Sequence, residues 1–171
     1  MQTGTKTLLV VLNLLITAPA AAVDEGEMAP EFTLPVLGGN DTVSLSDSRG
    51  KVRYIDFWAS WCPPCRVSIP LIVALQEELG GESFEVLAIN IDERVEDALR
   101  FSEGYAMNYV NLSDPEGEVA ETYDLRTVPM SYVVDPEGRV TLAHAGFRRG
   151  DMAGIRSHIL GLLGQAAAQD P

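Results

Sequence analysis

The sequence predicts an α/β fold with a mixed central sheet flanked by helices on both faces, and three observations carry that expectation. Two dense apolar runs, residues 52–59 and 84–91, have the length and the β-branched and aromatic content of buried strands. Each is followed by apolar residues at helical spacing, so strands and helices alternate through the middle of the chain. Near the end, two more strand-like segments flank Asp135-Pro136-Glu137-Gly138, a turn sequence that folds them antiparallel. Crossover helices give parallel pairs and the turn gives an antiparallel pair, so the sheet must be mixed.

In chain order, residues 1–22 read as a secretory signal peptide. Lys6 precedes an apolar stretch, residues 8–16, too short to span a bilayer comfortably, and Ala20-Ala21-Ala22 supplies a small-x-small cleavage site before Val23. Cleavage there would leave a soluble protein in the periplasm or otherwise outside the cytoplasm. The alternative left open is an uncleaved N-terminal membrane anchor. Residues 23–29, acidic and Gly-containing, are expected to be a flexible lead-in; residues 30–164 form the folded domain, and residues 165–171 a disordered tail.

Within the domain, residues 31–36 and 42–45 around Gly38-Gly39-Asn40-Asp41 predict an N-terminal β-hairpin. The strand at 52–59 leads into a helix over 63–79, with Val67, Leu71, Leu75 and Leu79 as its inward face, Pro70 as a kink and Gly80-Gly81 as its end. The strand at 84–91 is followed by a helix over 93–104 with Val95, Ala98, Leu99 and Phe101 inward. A short strand at 109–112 and a short helix at 116–123 come next. Strands at 130–134 and 139–144 form the closing hairpin, and a helix over 151–163 packs through Met152, Ile155, Ile159 and Leu162 or Leu163.

All 25 acidic residues lie beyond residue 22, against 12 Lys and Arg in the whole chain, for a net charge of −13. Phosphate backbones and anionic membranes are bound by clustered Lys and Arg, so this balance disfavours nucleic acid as a partner. Arg148-Arg149 is the one tight basic pair and reads as a solvated loop.

The chemistry is concentrated in Trp61-Cys62-Pro63-Pro64-Cys65, which holds both cysteines of the chain and sits at a strand-to-helix junction. A CxxC pair there can cycle between dithiol and disulfide, and the positive end of the helix favours the attacking thiolate. As a structural staple the pair is poorly placed, because closing so short a loop stabilises by only about 2 kcal/mol. A structural zinc site needs four ligands, whereas the only histidines, His144 and His158, are far away in sequence. Haem attachment needs a histidine where Arg66 stands. No metal or other cofactor is expected. An exported Cu(I)-binding module using the two thiolates stays open as a non-enzymatic alternative.

The segment from Asp56 to Cys65 resembles the active-site segment of thioredoxins, and the order of elements resembles the thioredoxin-like fold. The hairpin opened by Ala29-Pro30-Glu31-Phe32-Thr33-Leu34, with an inserted strand-helix region between about residues 84 and 114, is similar to the TlpA/ResA type of exported thiol-disulfide oxidoreductase. The Ala-Pro-x-Phe opening is shared with peroxiredoxins, which raises a thiol peroxidase as a second enzymatic reading. That pattern places Pro seven residues, and Thr or Ser three residues, before the peroxidatic cysteine, where this chain has Ile55 and Ala59.

The resemblance implies that Cys62 is the nucleophile and Cys65 the resolving thiol, and that the partners are protein thiols and disulfides together with a membrane thiol-reducing protein. The two intervening prolines offer Cys62 no backbone N–H, so thiolate stabilisation falls to later amides of the first helical turn. A modest pKa depression and a reducing protein follow. A carboxylate in the apolar run around Asp56 is costly to bury ionised, so its pKa should rise. By resemblance it accepts the Cys65 proton; the alternative is a strand acid paired with Arg or Lys. Many proteins of this type carry Glu three residues after the second cysteine, where Ser68 stands here, so the acid has moved from helix to strand. The fold places a cis-proline opposite the cysteines, which assigns Val128-Pro129, with Trp61, to client binding. Trp58 is expected in the core, Met130 and the two histidines in packing or surface roles.

Overall fold

The structure, a computed structural model, describes residues 23–169. The predicted signal peptide, residues 1–22, lies outside the described residues. A small antiparallel hairpin of β1 (Thr33–Pro35) and β2 (Thr42–Ser44) precedes β3 (Val52–Trp58), α1 (Cys65–Leu79), β4 (Phe84–Asn90) and α2 (Val95–Tyr105). Then follow β5 (Val110–Ser113), α3 (Glu118–Thr122), β6 (Met130–Val134), β7 (Val140–Ala145) and α4 (Asp151–Gln169). The main sheet runs β5-β4-β3-β6-β7. Strands β3, β4 and β5 are parallel, while β6 and β7 run antiparallel, which is the expected mixed sheet.

Strand β3 is central and buried at all seven positions. A strand covered on both faces is mostly apolar rather than alternating, which is why residues 52–59 read as a near-continuous run interrupted only by Arg53 and Asp56. Ile55 and Phe57 point into one core with Phe32, Leu34, Tyr123 and Tyr132, roofed by the hairpin and α3. Tyr54 and Trp58 point to the other face. There Tyr54 packs with Ile72 of α1 and Ile155 and Ile159 of α4, while Trp58 packs with Ile69 of α1 and Ala98 and Phe101 of α2.

Three expectations are corrected. The lead-in is ordered: Gly26 N–H donates to Val140 O, Val140 N–H to Glu27 O and Ala29 N–H to Gly138 O, and Val23 is buried. An uncovered β7 would expose a row of unpaired backbone groups, and this segment covers it. At the opposite edge Val36 bridges to Leu112 of β5, and Leu37 N–H donates to Asn111 O, so the N-terminal segment crosses one face and closes both sheet edges.

The inward face of α1 is Cys65, Ser68, Ile69, Ile72 and Leu75, while Val67 is exposed. A strict fourfold spacing turns 40° past a full circle at every step and winds off the buried face, whereas mixed steps of three and four stay on it. Finally, α4 continues to Gln169, past the expected end at 163 and into the expected tail. Ala166-Ala167-Ala168 have the highest helix propensity of any residue type, and Gly164 costs too little to stop the helix.

Removing residues 23–28 should lower the unfolding free energy by about 3 kcal/mol, from the lost burial of Val23 and two backbone hydrogen bonds. Urea denaturation of the truncated and longer chains checks this; equal midpoints would mean that the strap adds no stability.

Candidate active site

The fold carries β3 straight into the loop that bears the cysteines. Ala59 N-terminal to that loop is buried, and Cys62 N–H donates back to Ala59 O at 3.2 Å, turning the chain toward α1. The helix begins at Cys65 with Pro64 as its N-cap residue, two residues later than predicted. Proline suits a helix start, where its missing N–H would have had no partner.

Cys62 and Cys65 are joined as a disulfide with their Cα atoms 5.3 Å apart. Both are buried, Cys62 to 1% exposure and Cys65 to 0%, whereas the neighbouring Trp61 is 62% exposed. The Cys65 N–H donates to Cys62 Sγ at 3.2 Å. This is the later amide that the two prolines leave to serve the first sulfur, and it acts together with the positive end of a helix of 15 residues. An exposed indole therefore stands beside a sulfur that barely reaches the surface.

Asp56 lies on β3 on the same face as Tyr54 and Trp58, the face covered by α1. It is 1% exposed, its Oδ2 has no hydrogen-bond partner, and no Arg or Lys pairs with it among the described residues. Burial pushes its pKa well above the usual carboxylate value. The strand acid is therefore buried without a counter-ion, as the reading from its apolar neighbours required. Ser68, at the helix position that carries an acid in many similar proteins, is buried and donates its hydroxyl to Cys65 O at 3.3 Å.

The Val128-Pro129 peptide bond is cis. Val128 is half-buried and packs in the same apolar cluster as both cysteines and Trp58. Pro129 O accepts from Gly146 N–H at 2.8 Å, which ties the loop to the end of β7. Trp58 is fully buried, as expected. The histidines hold structural contacts: His144 Nε2 lies 3.1 Å from Asp151 Oδ2, and His158 Nε2 lies 2.9 Å from Thr141 Oγ1.

Two residues of the site escaped the sequence reading. Asp92, just past β4, accepts from Ser60 N–H at 2.9 Å, from Ser60 Oγ at 2.8 Å and from Asn90 Nδ2 at 2.7 Å, pinning the loop in front of Trp61. Arg66 donates to Ser60 O at 3.0 Å and lies 5.1 Å from the centre of the Phe101 ring, a cation–π distance. The available signal for Asp92 was its position at the carboxyl end of a parallel strand, next to the end that bears the cysteines.

The AhpC/TSA family profile matches residues 26–143. The thiol-disulfide oxidoreductase ResA of Bacillus subtilis is 28% identical over 131 residues, covering 77% of this chain and 73% of that protein. The thioredoxin-like protein YneN of the same organism is 35% identical over 127 residues, covering 72% of this chain and 73% of its own. Among solved structures, a Chlorobium tepidum protein assigned as a thiol:disulfide interchange protein DsbE superposes with a TM-score of 0.79 at 38% identity, covering 83% of this chain and 99% of that one.

A carboxyl whose folded pKa lies above its unfolded value holds its proton more tightly in the folded state, so folding is favoured on the acid side. The contribution of Asp56 to the stability of the oxidised protein should be greatest below the ordinary carboxylate range, fall as pH rises through it, and level off above the raised value of Asp56. Asp56→Asn should remove that decline, raising the urea midpoint at pH 8 relative to the parent while leaving it little changed at pH 4. Parallel denaturation profiles of the two proteins at all pH values would show that Asp56 is not the titrating group.

Proposed function

The chain belongs to the AhpC/TSA family, and we propose that it serves as a thiol-disulfide oxidoreductase that reduces protein disulfides outside the cytoplasm. The observation that carries this reading is the Cys62–Cys65 disulfide at the start of α1, its first sulfur held by an amide N–H, on a sheet that buries an unpaired carboxyl under the helix. The leader-like residues 1–22 support an exported location, and no described helix is long and apolar enough to cross a membrane.

In the reduced enzyme the Cys62 thiolate attacks one sulfur of a client disulfide. The client S–S bond breaks, its other sulfur leaves as a thiolate and takes up a proton, and Cys62 is joined to the client. The Cys65 thiol then gives its proton to the Asp56 carboxylate while its sulfur attacks Cys62 Sγ. The bond from Cys62 to the client breaks, the second client thiolate departs and is protonated, and the enzyme disulfide forms. Two electrons pass from enzyme to client, so an external thiol donor must reduce the enzyme again. A membrane thiol-reducing protein would fill that role, and exported cysteines of apocytochrome c or of copper sites in respiratory oxidases are clients suited to it.

Trp61, Val128 and Pro129 form the client-binding edge in this scheme. Trp61 offers an exposed apolar face, and the half-buried Val128 presents backbone to an extended segment beside the cysteines. The thiol peroxidase alternative lacks support at the residues that matter, since Ile55 and Ala59 occupy the positions of that pattern's Pro and Thr or Ser.

Cys65→Ser should accumulate Cys62-linked mixed disulfides with clients, and Cys62→Ser should form none; non-reducing electrophoresis with mass spectrometry reads both. Asp56→Asn should slow resolution of the mixed disulfide by about 100-fold while leaving Cys62 alkylation by iodoacetamide within a factor of about two. Unchanged insulin-reduction turnover in Asp56→Asn would remove Asp56 from the mechanism. The reduction potential should fall on the side of thioredoxin, about −270 mV, rather than that of the strong oxidant DsbA, about −120 mV.

A further inference from the structure

The pair Arg148-Arg149, which by sequence reads as a solvated loop, lies at the end of the sheet that carries the disulfide. β6 begins at Met130, level with Phe57 of β3, and Ala145 at the end of β7 is level with Met130 in turn. The chain leaving β7 therefore emerges next to the cis peptide bond. Gly146 N–H donates to Pro129 O at 2.8 Å, and Val128 packs in the apolar cluster that holds both cysteines. Arg148 follows Gly146 by two residues, a span of at most about 7 Å.

This loop is fixed, and its charge is not neutralised. Phe147 packs inward against the cluster of Tyr54 and Ile155, and its ring meets that of His144. Asp151 then holds both backbone groups of Arg148: Arg148 N–H donates to Asp151 Oδ2 at 2.7 Å, and Asp151 N–H donates to Arg148 O at 2.9 Å. The same carboxylate oxygen lies 3.1 Å from His144 Nε2. It is thus occupied by backbone and imidazole, and both arginines stay exposed with no carboxylate paired to either guanidinium among the described residues. Every other arginine is engaged. Five are ion-paired with carboxylates, and Arg53, Arg66 and Arg139 donate to backbone carbonyls.

In a chain with 25 acidic and 12 basic residues, two adjacent cations without an acid are the exception. The exposed acids that follow β4 and β5 at this end, Glu93, Glu96, Glu116 and Glu118, lie across the sheet from β7. Asp124 is paired with Arg126, and Glu25 beside β7 accepts from Ala143 N–H. The net charge of −13 repels an acidic molecule from most directions, so an acidic segment that does approach is drawn to this corner, next to Val128 and the disulfide.

We propose that Arg148 and Arg149 are specificity-determining residues that select client disulfides whose cysteine is flanked by Asp or Glu. The inference rests on the reading of the protein as a reductant of protein disulfides and narrows the class of client. A guanidinium takes a carboxylate through two parallel N–H donors, and two arginines on a loop held in place meet a pair of acids without rearrangement. Anionic membranes are recognised by larger clusters, of about four to eight Lys and Arg, so two cations fit a single acidic segment better. The pair stands apart from the reacting sulfurs and therefore acts on encounter and binding rather than on the exchange step itself.

The test mixes the reduced protein with three peptide disulfides that differ only in the residues flanking the cysteine: Glu, Gln or Lys. As each peptide disulfide is reduced to two thiols, the protein dithiol becomes the Cys62–Cys65 disulfide, and the rate is followed against peptide concentration. Net charge alone ranks the peptides Lys, Gln, Glu from fastest to slowest, whereas the arginine pair reverses that order. At about 0.15 M salt, where fields beyond about 8 Å are screened, the Glu peptide should react about fivefold faster than the Lys peptide below saturation. The gain should come from a lower half-saturation concentration, with maximal rates within about twofold. In about 1 M salt it should vanish.

The double variant Arg148→Gln, Arg149→Gln keeps the backbone contacts to Asp151 and should bring the ratio of Glu-peptide to Lys-peptide rate down to one or below. Arg139→Gln removes a positive charge just before the far end of β7 and should keep the parent ratio. A parent that reduces all three peptides equally, or the Lys peptide fastest, overturns the selection and leaves the reductant reading standing; so does a preference that survives in the double variant. If the parent reduces none of the three, the reductant reading fails and the selection with it. Binding to phosphatidylglycerol vesicles that the double variant loses, with no order among the peptides, would assign the pair to a membrane surface and overturn the proposal.

Discussion

Asp56 carries an unpaired carboxyl oxygen in the middle of a strand whose seven residues are all buried. Placing a polar group there costs stability, so the surrounding structure has to supply enough apolar burial to hold it. It does so on both sides of β3: Ile55 and Phe57 lock into the core under the hairpin and α3, and Trp58 and Tyr54 lock against α1, α2 and α4. The rigidity that keeps the acid in place also fixes where the chain leaves the sheet, and hence where α1 begins. Disulfide, acid and helix start are thus positioned by one strand.

The loop between β3 and α1 is held by short-range contacts of a different kind. Asp92 reaches from the end of β4 to grip Ser60 by both backbone and side chain, and Arg66 closes over Ser60 O and the Phe101 ring. These contacts limit how far the loop can move, while Trp61 is left exposed at its tip. Val128, before the cis bond to Pro129, packs beside the cysteines, and Pro129 O is tied to Gly146 N–H. Cys62 and the Val128-Pro129 pair come from separate parts of the chain. They meet because β3 and β6 are neighbours in the sheet, with Phe57 level with Met130.

The N-terminal segment solves a separate problem. A five-stranded open sheet has two edges, and residues 23–29 cover β7 while residues 36–37 attach to β5. Phe32 and Leu34 in between add to the core beneath the strap. Edge pairing of this kind uses backbone groups, which every residue carries, so the acidic, glycine-containing sequence of the lead-in gave no sign of it. The inward face of α1 was misread for a related reason. Several residues of that helix are apolar, and only the direction from which the sheet approaches selects Ile69 and Ile72 over Val67.

Local pattern was enough to determine the cysteine pair at a strand-to-helix junction, the buried run that contains Asp56, the closing hairpin and the mixed sheet, because each is written in neighbouring residues and their period. The same pattern made the rise in the Asp56 pKa predictable, since a carboxyl between Ile55 and Phe57 in a buried strand has to be desolvated. Tertiary structure alone decided which groups meet across the sheet. Ser60 finds Asp92 from 32 positions away, and Tyr109 shares a face with Asp56 through the register of two strand pairs. Such pairings depend on register and layer packing between segments far apart in the chain, and a side chain's sequence neighbours carry no record of them.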